Sequence, residues 1–152
     1  MNPVELKMEL HEMCLAHVEE RMKNIHEAIK LASEAAREET KSSAGDKYET
    51  GRAMMQIEID QQMQQLAEAE KLKKALNRIN PRERRDKAVA GSLVITSTGT
   101  FYLSISLGRL TLQSSEYIVI SPLSPIAQQM LNKAKGDTFG FQGKTLEITG
   151  IY

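Results

Sequence analysis

The apolar residues of the first 36 positions recur in alternating steps of four and three. After Val4 and Met8 the series contains one polar member, His11, and continues through Leu15, Val18, Met22, Ile25, Ile29, Ala32 and Ala36. This spacing is typical of a coiled-coil seam, the strip along which two helices meet. No Gly or Pro interrupts the stretch after Pro3, which suits the first turn of a helix. We therefore predict one helix of about 35 residues.

A second, weaker series of the same period begins at Tyr48 and predicts a second helix. It continues through Met55, Ile59, Leu66, Ala69, Leu76 and Ile79, with Arg52, Gln62 and Lys73 at the intervening positions. Between the two series lies a turn-like stretch at 40–45, Thr-Lys-Ser-Ser-Ala-Gly. The pattern favours a long antiparallel helical hairpin. A parallel dimeric coiled coil with a kink at Gly45 is the alternative.

The period changes to two after Asn80-Pro81, which ends the second helix because proline disfavours a helical residue before it. A charged linker follows at 82–87, and alternation then predicts strands over 92–97, 100–107, 109–113, 116–121, 138–141 and 145–151. We expect the strand over 100–107 to place Phe101, Leu103, Ile105 and Leu107 on one face. Ser124 as N-cap, Pro125 at the first position and Gly136 at the end predict one short helix. The predicted class is α+β, with a hairpin at 1–80, a linker at 81–87 and a sheet domain at 88–152.

The charges divide at the same place. Residues 1–87 contain 16 basic and 17 acidic side chains, whereas residues 88–152 contain 4 and 3. This contrast supports two modules, and the zero net charge disfavours avid non-specific duplex binding. The single Cys14 excludes an intrachain disulfide, and His11, His17 and His26 lack the spacing of a helical metal site. The charged N-terminal segment and the short apolar runs predict a cytoplasmic protein with no membrane segment.

Several residues of the sheet domain resemble the C-terminal signature of the bacterial Gre transcript-cleavage factors. They are the segment 120–127, Ile-Ser-Pro-Leu-Ser-Pro-Ile-Ala, followed by Leu131, Lys133, Gly136-Asp137, Phe141, Gly143 and Ile148. At the hairpin end, Ala36-Arg37-Glu38, Tyr48 and Arg52 fall at the family's spacing. The resemblance implies an FKBP-like C-terminal domain that docks on RNA polymerase at the mouth of its secondary channel, which the hairpin enters. The implied partner-binding residues are Ser121, Pro122, Ser124, Pro125 and Ile126.

In that family a tip Asp and a Glu three residues later help to hold a second Mg²⁺ in the polymerase active centre, where it promotes RNA hydrolysis. Here the ungapped register places Lys41 and Ala44 at those positions. The resemblance therefore implies a factor that is not itself an enzyme, holds no metal of its own and stimulates cleavage weakly or not at all. It would act as a monomer and touch nucleic acid only through the polymerase.

Four other carboxylates lie near the predicted tip: Glu38, Glu39, Asp46 and Glu49. Asp46 and Glu49 repeat the acid-x-x-acid spacing five residues later, so a shifted tip could share Mg²⁺ with the polymerase. The same two residues also form the pattern of a capping box for the second helix. Glu38 and Glu39 fit a solvated tip equally well.

Two other classes of function remain open. The hairpin could bind itself or another client, which would make the chain a structural or interaction protein. The FKBP-like fold by itself suggests a peptidyl-prolyl isomerase, but such a site needs an aromatic pocket, and the sheet core should consume several of the few aromatic residues.

Overall fold

The computed structural model describes residues 1–41 and 45–152, with the side chains of residues 1–38 and 50–152. Two long helices, α1 (Pro3–Lys41) and α2 (Gly45–Asn77), precede a six-stranded sheet and a short helix, α3 (Pro125–Met130). The strands are β1 (Leu93–Thr96), β2 (Gly99–Leu103), β3 (Gly108–Leu112), β4 (Ser115–Ile120), β5 (Thr138–Phe141) and β6 (Lys144–Ile151). The predicted α+β class is confirmed. The predicted division into 1–80, 81–87 and 88–152 stays a prediction.

By their contacts the described residues form two compact units, one of which comprises Ala16–Lys73. Within this helix-pair unit, the buried residues of α1 are Val18, Ile25 and Ala32, which are seven residues apart. Ala69 of α2 is buried as well. Cross-helix contacts run antiparallel, because Glu19 meets Lys73 (3.7 Å) while the later Arg21 meets the earlier Glu68 (3.7 Å). These ion pairs are solvent-exposed and contribute at most about 1 kcal/mol each, so apolar burial holds the pair.

The other unit joins Met1–Leu15 to Lys74–Tyr152, and its first element is the start of α1. Asn2 and Glu5 form a reciprocal capping box, in which the Glu5 N–H donates to Asn2 Oδ1 (2.9 Å) and the Asn2 N–H donates to Glu5 Oε2 (3.2 Å). The buried face of this segment is formed by Lys7, Leu10, His11 and Cys14. The predicted seam residues Val4, Met8 and Leu15 are only half-buried here. Of the predicted seam residues in this segment only His11 is buried, so the buried face of the helix is rotated from the predicted seam in this part of the chain.

The sheet has the strand order β3-β4-β2-β1-β6-β5. β2 and β4 are parallel, with Phe101 opposite Ile118, and the other neighbours are antiparallel. β3 and β4 form a hairpin that returns the chain to lie beside β2. Beyond the end of β6, Leu93 and Tyr152 exchange two backbone hydrogen bonds of 2.9 and 3.0 Å, so the last residue is tied to the first strand.

One face of the sheet packs with α3 in a hydrophobic core. Its buried members are Ala88, Val94, Phe101, Leu103, Met130, Phe139, Leu146 and Ile148. Tyr102 lies between Phe101 and Leu103 on β2 and is also fully buried, because its side chain meets His11 of α1. This central strand is therefore covered on both faces.

Two predicted elements are longer than the observed ones. β2 ends at Leu103 instead of residue 107 because the chain turns over 104–107 and crosses β4: Leu103 lies opposite Ile120 on one side of β4, and Gly108 lies opposite Val119 on the other. Phe101 and Leu103 join the core, whereas Ile105 is buried beyond the strand. The helix predicted to reach Gly136 ends at Met130, and Asn132 has a φ of 62°. Residues 132 and 133 instead form backbone hydrogen bonds with Ala88 (both 2.9 Å).

Candidate functional site

The segment from Ser121 to Ile126 forms a turn closed by its own hydrogen bonds. The Ser121 hydroxyl accepts from the Leu123 N–H (3.1 Å), and the Ser121 carbonyl accepts from the Ser124 N–H (3.0 Å). Ser124 caps α3 by accepting from the Ala127 N–H (3.4 Å), as predicted, and Pro125 occupies the first turn. The Gln128 amide donates to the Pro122 carbonyl (2.7 Å). These contacts hold the turn in one conformation against the helix.

Only part of this turn is available to a partner. Ile126 packs against the hydrophobic core, and the Ser124 hydroxyl already serves as the cap. Leu123 is 83% exposed, and Pro125 is exposed beside it. The five predicted partner-binding residues did not include Leu123. Its position in the sequence could have indicated its exposure. Leu123 lies inside a Ser-Pro-Leu-Ser-Pro turn before a helix, where it belongs to no periodic series of apolar residues that would predict its burial.

A cavity of about 410 Å³ adjoins this turn. Its wall combines apolar side chains with two arginines and two serines: Ala75, Arg78, Ile79, Arg85, Ala90, Ser104, Ser121, Pro122 and Leu123. The last turn of α2, the linker and the sheet domain all contribute to it. Sequence reasoning missed Arg78 and Ser104, and it treated Arg85 only as part of a charged linker.

Two polar side-chain atoms of the residues that line the cavity are fully buried: Arg85 Nε, which has no hydrogen-bond partner among the described residues, and Ser104 Oγ, whose neighbour is the Cys14 thiol. Arg85 also pairs through Nη2 with Glu83 (3.1 Å). Burying a donor without an acceptor costs about 1–3 kcal/mol, so the burial of Arg85 Nε is an unfavourable feature of the linker.

A cluster of buried polar side chains lies where α1 meets the sheet domain and the linker. Lys7 Nζ donates to the Glu83 carbonyl, and burial, reinforced by the charge of Arg85, lowers the pKa of Lys7 to about 8. His11 Nδ1 and Tyr102 Oη are 2.7 Å apart. Burial lowers the pKa of His11, with Glu12 opposing the shift, and raises that of Tyr102. The pair is therefore neutral at pH 7, and its single hydrogen bond runs in whichever direction the imidazole tautomer allows.

Cys14 belongs to the same cluster. Burial raises the pKa of its thiol to about 11, and the neighbouring Ser104 hydroxyl, which would stabilise a thiolate, offsets that rise in part. Cys14 is therefore a free, buried thiol with little thiolate at neutral pH. His17 and His26 are exposed on α1.

The predicted hairpin tip is described only at its margin. Glu38 is exposed, and it is the last residue of α1 whose side chain is described. Ala44 and the side chains of Glu39, Lys41, Asp46 and Glu49 lie outside the described residues. The capping box and the shifted acidic pair therefore stay predictions. Among the side chains that the structure does describe, no group of three or more His, Cys, Asp or Glu is placed to hold a metal ion.

No described helix combines the length and the apolar character that a membrane span requires.

The comparison with known proteins found no relative of this chain: no family model, no curated protein and no solved structure matches it.

Proposed function

We propose that this protein is a Gre-like transcription elongation factor of the bacterial cytoplasm. Its C-terminal domain, FKBP-like by the resemblance, docks on RNA polymerase at the mouth of the secondary channel, and the hairpin tip enters the channel to modulate elongation and backtracking. The factor is monomeric, is not itself an enzyme and reaches nucleic acid only through the polymerase.

The observation that carries this proposal is the turn at 121–126. It contains the residues of the Gre-like signature, its hydrogen bonds fix its shape, and it presents Leu123 and Pro125 at the surface. A rigid turn with an exposed leucine is well suited to docking, because little conformational entropy is lost on binding. The long helices add support, since the 26 residues of α1 after Leu15, which do not belong to the sheet unit, extend over roughly 40 Å at 1.5 Å per residue.

The proposed activity excludes strong cleavage stimulation. A basic Lys41 and an apolar Ala44 at the positions of the family's acids supply no oxygen ligand for Mg²⁺, and a lysine repels the cation. A metal shared with the polymerase would have to be held by the shifted pair, Asp46 and Glu49. The proposal therefore includes competition with a true cleavage factor for the same channel.

The test combines binding and cleavage with the polymerase of the native host. We expect the wild-type protein to bind core polymerase, and Leu123→Asp to weaken binding at least tenfold. Thr111→Asp, which adds the same charge at an exposed position on β3, should leave binding unchanged. In backtracked complexes we expect little RNA shortening, and inhibition of a cleavage factor added at the same time.

Failure of the wild-type protein to bind polymerase would refute the docking proposal. Rapid RNA shortening that is abolished by Asp46→Ala or Glu49→Ala would instead refute only the proposal of weak cleavage, and would assign the metal-assisting role to the shifted pair.

A second candidate function is that of an interaction protein whose helix pair binds itself or another client. It is favoured by four large apolar side chains that are more than half exposed on the helix-pair unit: Leu31 (67%), Met54 (61%), Ile57 (58%) and Met63 (54%). Measurement of the mass in solution separates the two functions. A dimer that dissociates in Ile57→Ser and does not bind polymerase would support the second candidate over the first.

A further inference from the structure

The stretch from the end of α2 through the linker, residues 74–87, carries an excess of positive charge. It contains six basic and two acidic side chains, although the whole chain is neutral. The basic residues of this stretch, called the basic segment below, are Lys74, Arg78, Arg82, Arg84, Arg85 and Lys87. The segment lies entirely within the compact unit that contains the sheet, and that unit as a whole has 11 basic and eight acidic side chains. Acidic residues elsewhere in the unit therefore do not cancel the excess.

Most of these charges have no counter-charge within the described part of the chain. Arg85 is half-buried and pairs with Glu83 (3.1 Å). The other five basic side chains are exposed, and none of them lies within ion-pair distance of a described carboxylate. They are therefore available to a negative charge supplied by a partner.

The backbone of the segment is held in place, unlike that of a free hinge. Asn80 organises its start, because its side-chain oxygen accepts from the Arg82 N–H (3.1 Å) and its carbonyl accepts from the Glu83 N–H (3.2 Å). At the other end, Lys87 forms an antiparallel β-bridge with Ala134. Because the backbone is already ordered, little conformational entropy is lost when the charges meet a partner.

An exposed apolar side chain lies next to the basic segment. Arg78 and Arg85 line the same concave surface as Leu123, which is 83% exposed. An apolar contact bordered by charged side chains is the usual layout of a protein interface. The phosphate backbone of a nucleic acid offers Leu123 no apolar surface, and residues 74–87 include no aromatic side chain on which a base could stack. The surroundings therefore favour an acidic protein surface over a nucleic acid.

We propose that the basic segment recognises a carboxylate-rich surface of RNA polymerase next to the point where Leu123 makes contact. The proposal rests on the proposed docking of this domain and adds the charge of the surface that receives it. Arginine is suited to this partner because its planar guanidinium binds a carboxylate through two parallel hydrogen bonds. Exposed charges of opposite sign mainly accelerate association, so the basic segment should act on the association rate and Leu123 on the dissociation rate.

The experiment measures both rate constants for the full-length protein and immobilised core polymerase of the native host by surface plasmon resonance. Between about 50 and 300 mM KCl, the association rate constant of the wild type should fall at least fivefold, because salt screens exposed charges. At the lower salt concentration, Arg82→Gln/Arg84→Gln/Lys87→Gln should lower the association rate constant about fivefold and change the dissociation rate constant less than twofold. Leu123→Ala should have the opposite pattern, with faster dissociation and nearly unchanged association.

A matched control separates the position of the charges from their number. Lys23→Gln/Lys30→Gln/Arg109→Gln also removes three exposed basic side chains, all outside the basic segment. The two triple variants have the same net charge, so the control should change the association rate constant less than twofold.

Four results would overturn the proposal. If the wild type does not bind polymerase, the docking itself is refuted and this proposal with it. If it binds, but neither salt nor the triple variant of the basic segment changes the association rate, only the acidic partner surface is refuted. Equal losses in both triple variants would reduce the effect to diffuse attraction. Binding of the protein alone to a short DNA duplex, lost in the triple variant of the basic segment, would assign these charges to nucleic acid instead.

Discussion

The hydrogen bond between His11 and Tyr102 should be a principal tie between α1 and β2, and the substitution Tyr102→Phe tests this role. The two atoms are 2.7 Å apart, and both side chains are buried. Removing the hydroxyl deletes one hydrogen bond and leaves the imidazole with an unsatisfied nitrogen away from water. Removing one partner so that a buried group is left unsatisfied costs about 1–3 kcal/mol, so we expect a destabilisation of about 2 kcal/mol.

Amide hydrogen exchange is the assay of choice, because the chain contains two compact units whose unfolding need not coincide. A loss of 2 kcal/mol should speed exchange of the Leu103 amide about 30-fold, since this amide donates to the Ser92 carbonyl in the interior of the sheet. Tyr117→Phe provides the control. It removes the same hydroxyl from a half-buried tyrosine on β4 and should change exchange little.

A double-mutant cycle separates the hydrogen bond from the packing. His11→Leu combined with Tyr102→Phe leaves no polar atom of the pair unsatisfied, so the double variant should be more stable than the sum of the single losses by 1 kcal/mol or more. A Tyr102→Phe loss no larger than that of Tyr117→Phe, or strictly additive single losses, would refute the reasoning.

The remaining predictions concern titration, reactivity and capping. His11 has a lowered pKa in the folded protein, because burial disfavours its charged form. The free energy of unfolding of the wild type should therefore fall as the pH drops below about 6.5, where the histidine of the unfolded chain takes up a proton. Urea unfolding at pH 7.5 and 5.5 should show this loss in the wild type and not in His11→Leu. Lys7 releases its proton near pH 8 in the folded protein, against 10.5 when unperturbed. The free energy of unfolding that Lys7 contributes should therefore rise between pH 8 and 9. This contribution is measured as the difference in free energy of unfolding between wild type and Lys7→Met. A difference that does not change with pH would contradict the burial of a charged amine. The rise of the Cys14 pKa from 9.0 to about 11 reduces the fraction of thiolate about 100-fold at pH 8. Alkylation by iodoacetamide, measured by mass spectrometry, should therefore be at least 100-fold slower in the folded protein than in the protein unfolded in urea. Ser124→Ala should cost about 1 kcal/mol in urea unfolding through loss of the α3 cap, whereas Ser106→Ala at an exposed position should cost almost nothing.

Local patterns in the sequence predicted most of the elements. The alternation of apolar residues placed the strand at 138–141 at its observed bounds, and Ser124-Pro125 placed the start of α3, because caps and strand periodicity depend on a few neighbouring residues. The ends of β2 and α3 were wrong because contacts from distant residues decide them. β4 pairs with Leu103 on one side and with Gly108 on the other, and Ala88 forms backbone hydrogen bonds with residues 132 and 133. Neither contact leaves a trace in the local sequence.

The burial of the side chains that line the cavity likewise depends on contacts between residues far apart in the sequence. Arg85 appeared as one of several linker charges, and Ser104 as one residue of a predicted strand. Their shared burial depends on how the linker and the sheet domain pack, which no spacing encodes. Lys7 did carry a signal, since Lys7, His11, Cys14 and Val18 follow the same steps of four and three as the chosen seam. A lysine is nevertheless uncommon at a buried helix position, and here a backbone carbonyl of the linker accepts a hydrogen bond from its amine.

The compact unit built from Met1–Leu15 and Lys74–Tyr152 is discontinuous in the chain, and this has a consequence for how the protein folds. Bringing Leu15 to Lys74 through a disordered segment would cost roughly 4 kcal/mol of loop-closure entropy. Helix pairs form from contacts that are local on each arm, and antiparallel arms return the chain to its starting point. We therefore expect the helix pair to act as an intramolecular splint that forms early and removes most of this entropic penalty. Lengthening both arms by one matched heptad should then leave the folding rate of the sheet nearly unchanged, whereas replacing residues 16–73 by a flexible linker of equal length should slow it.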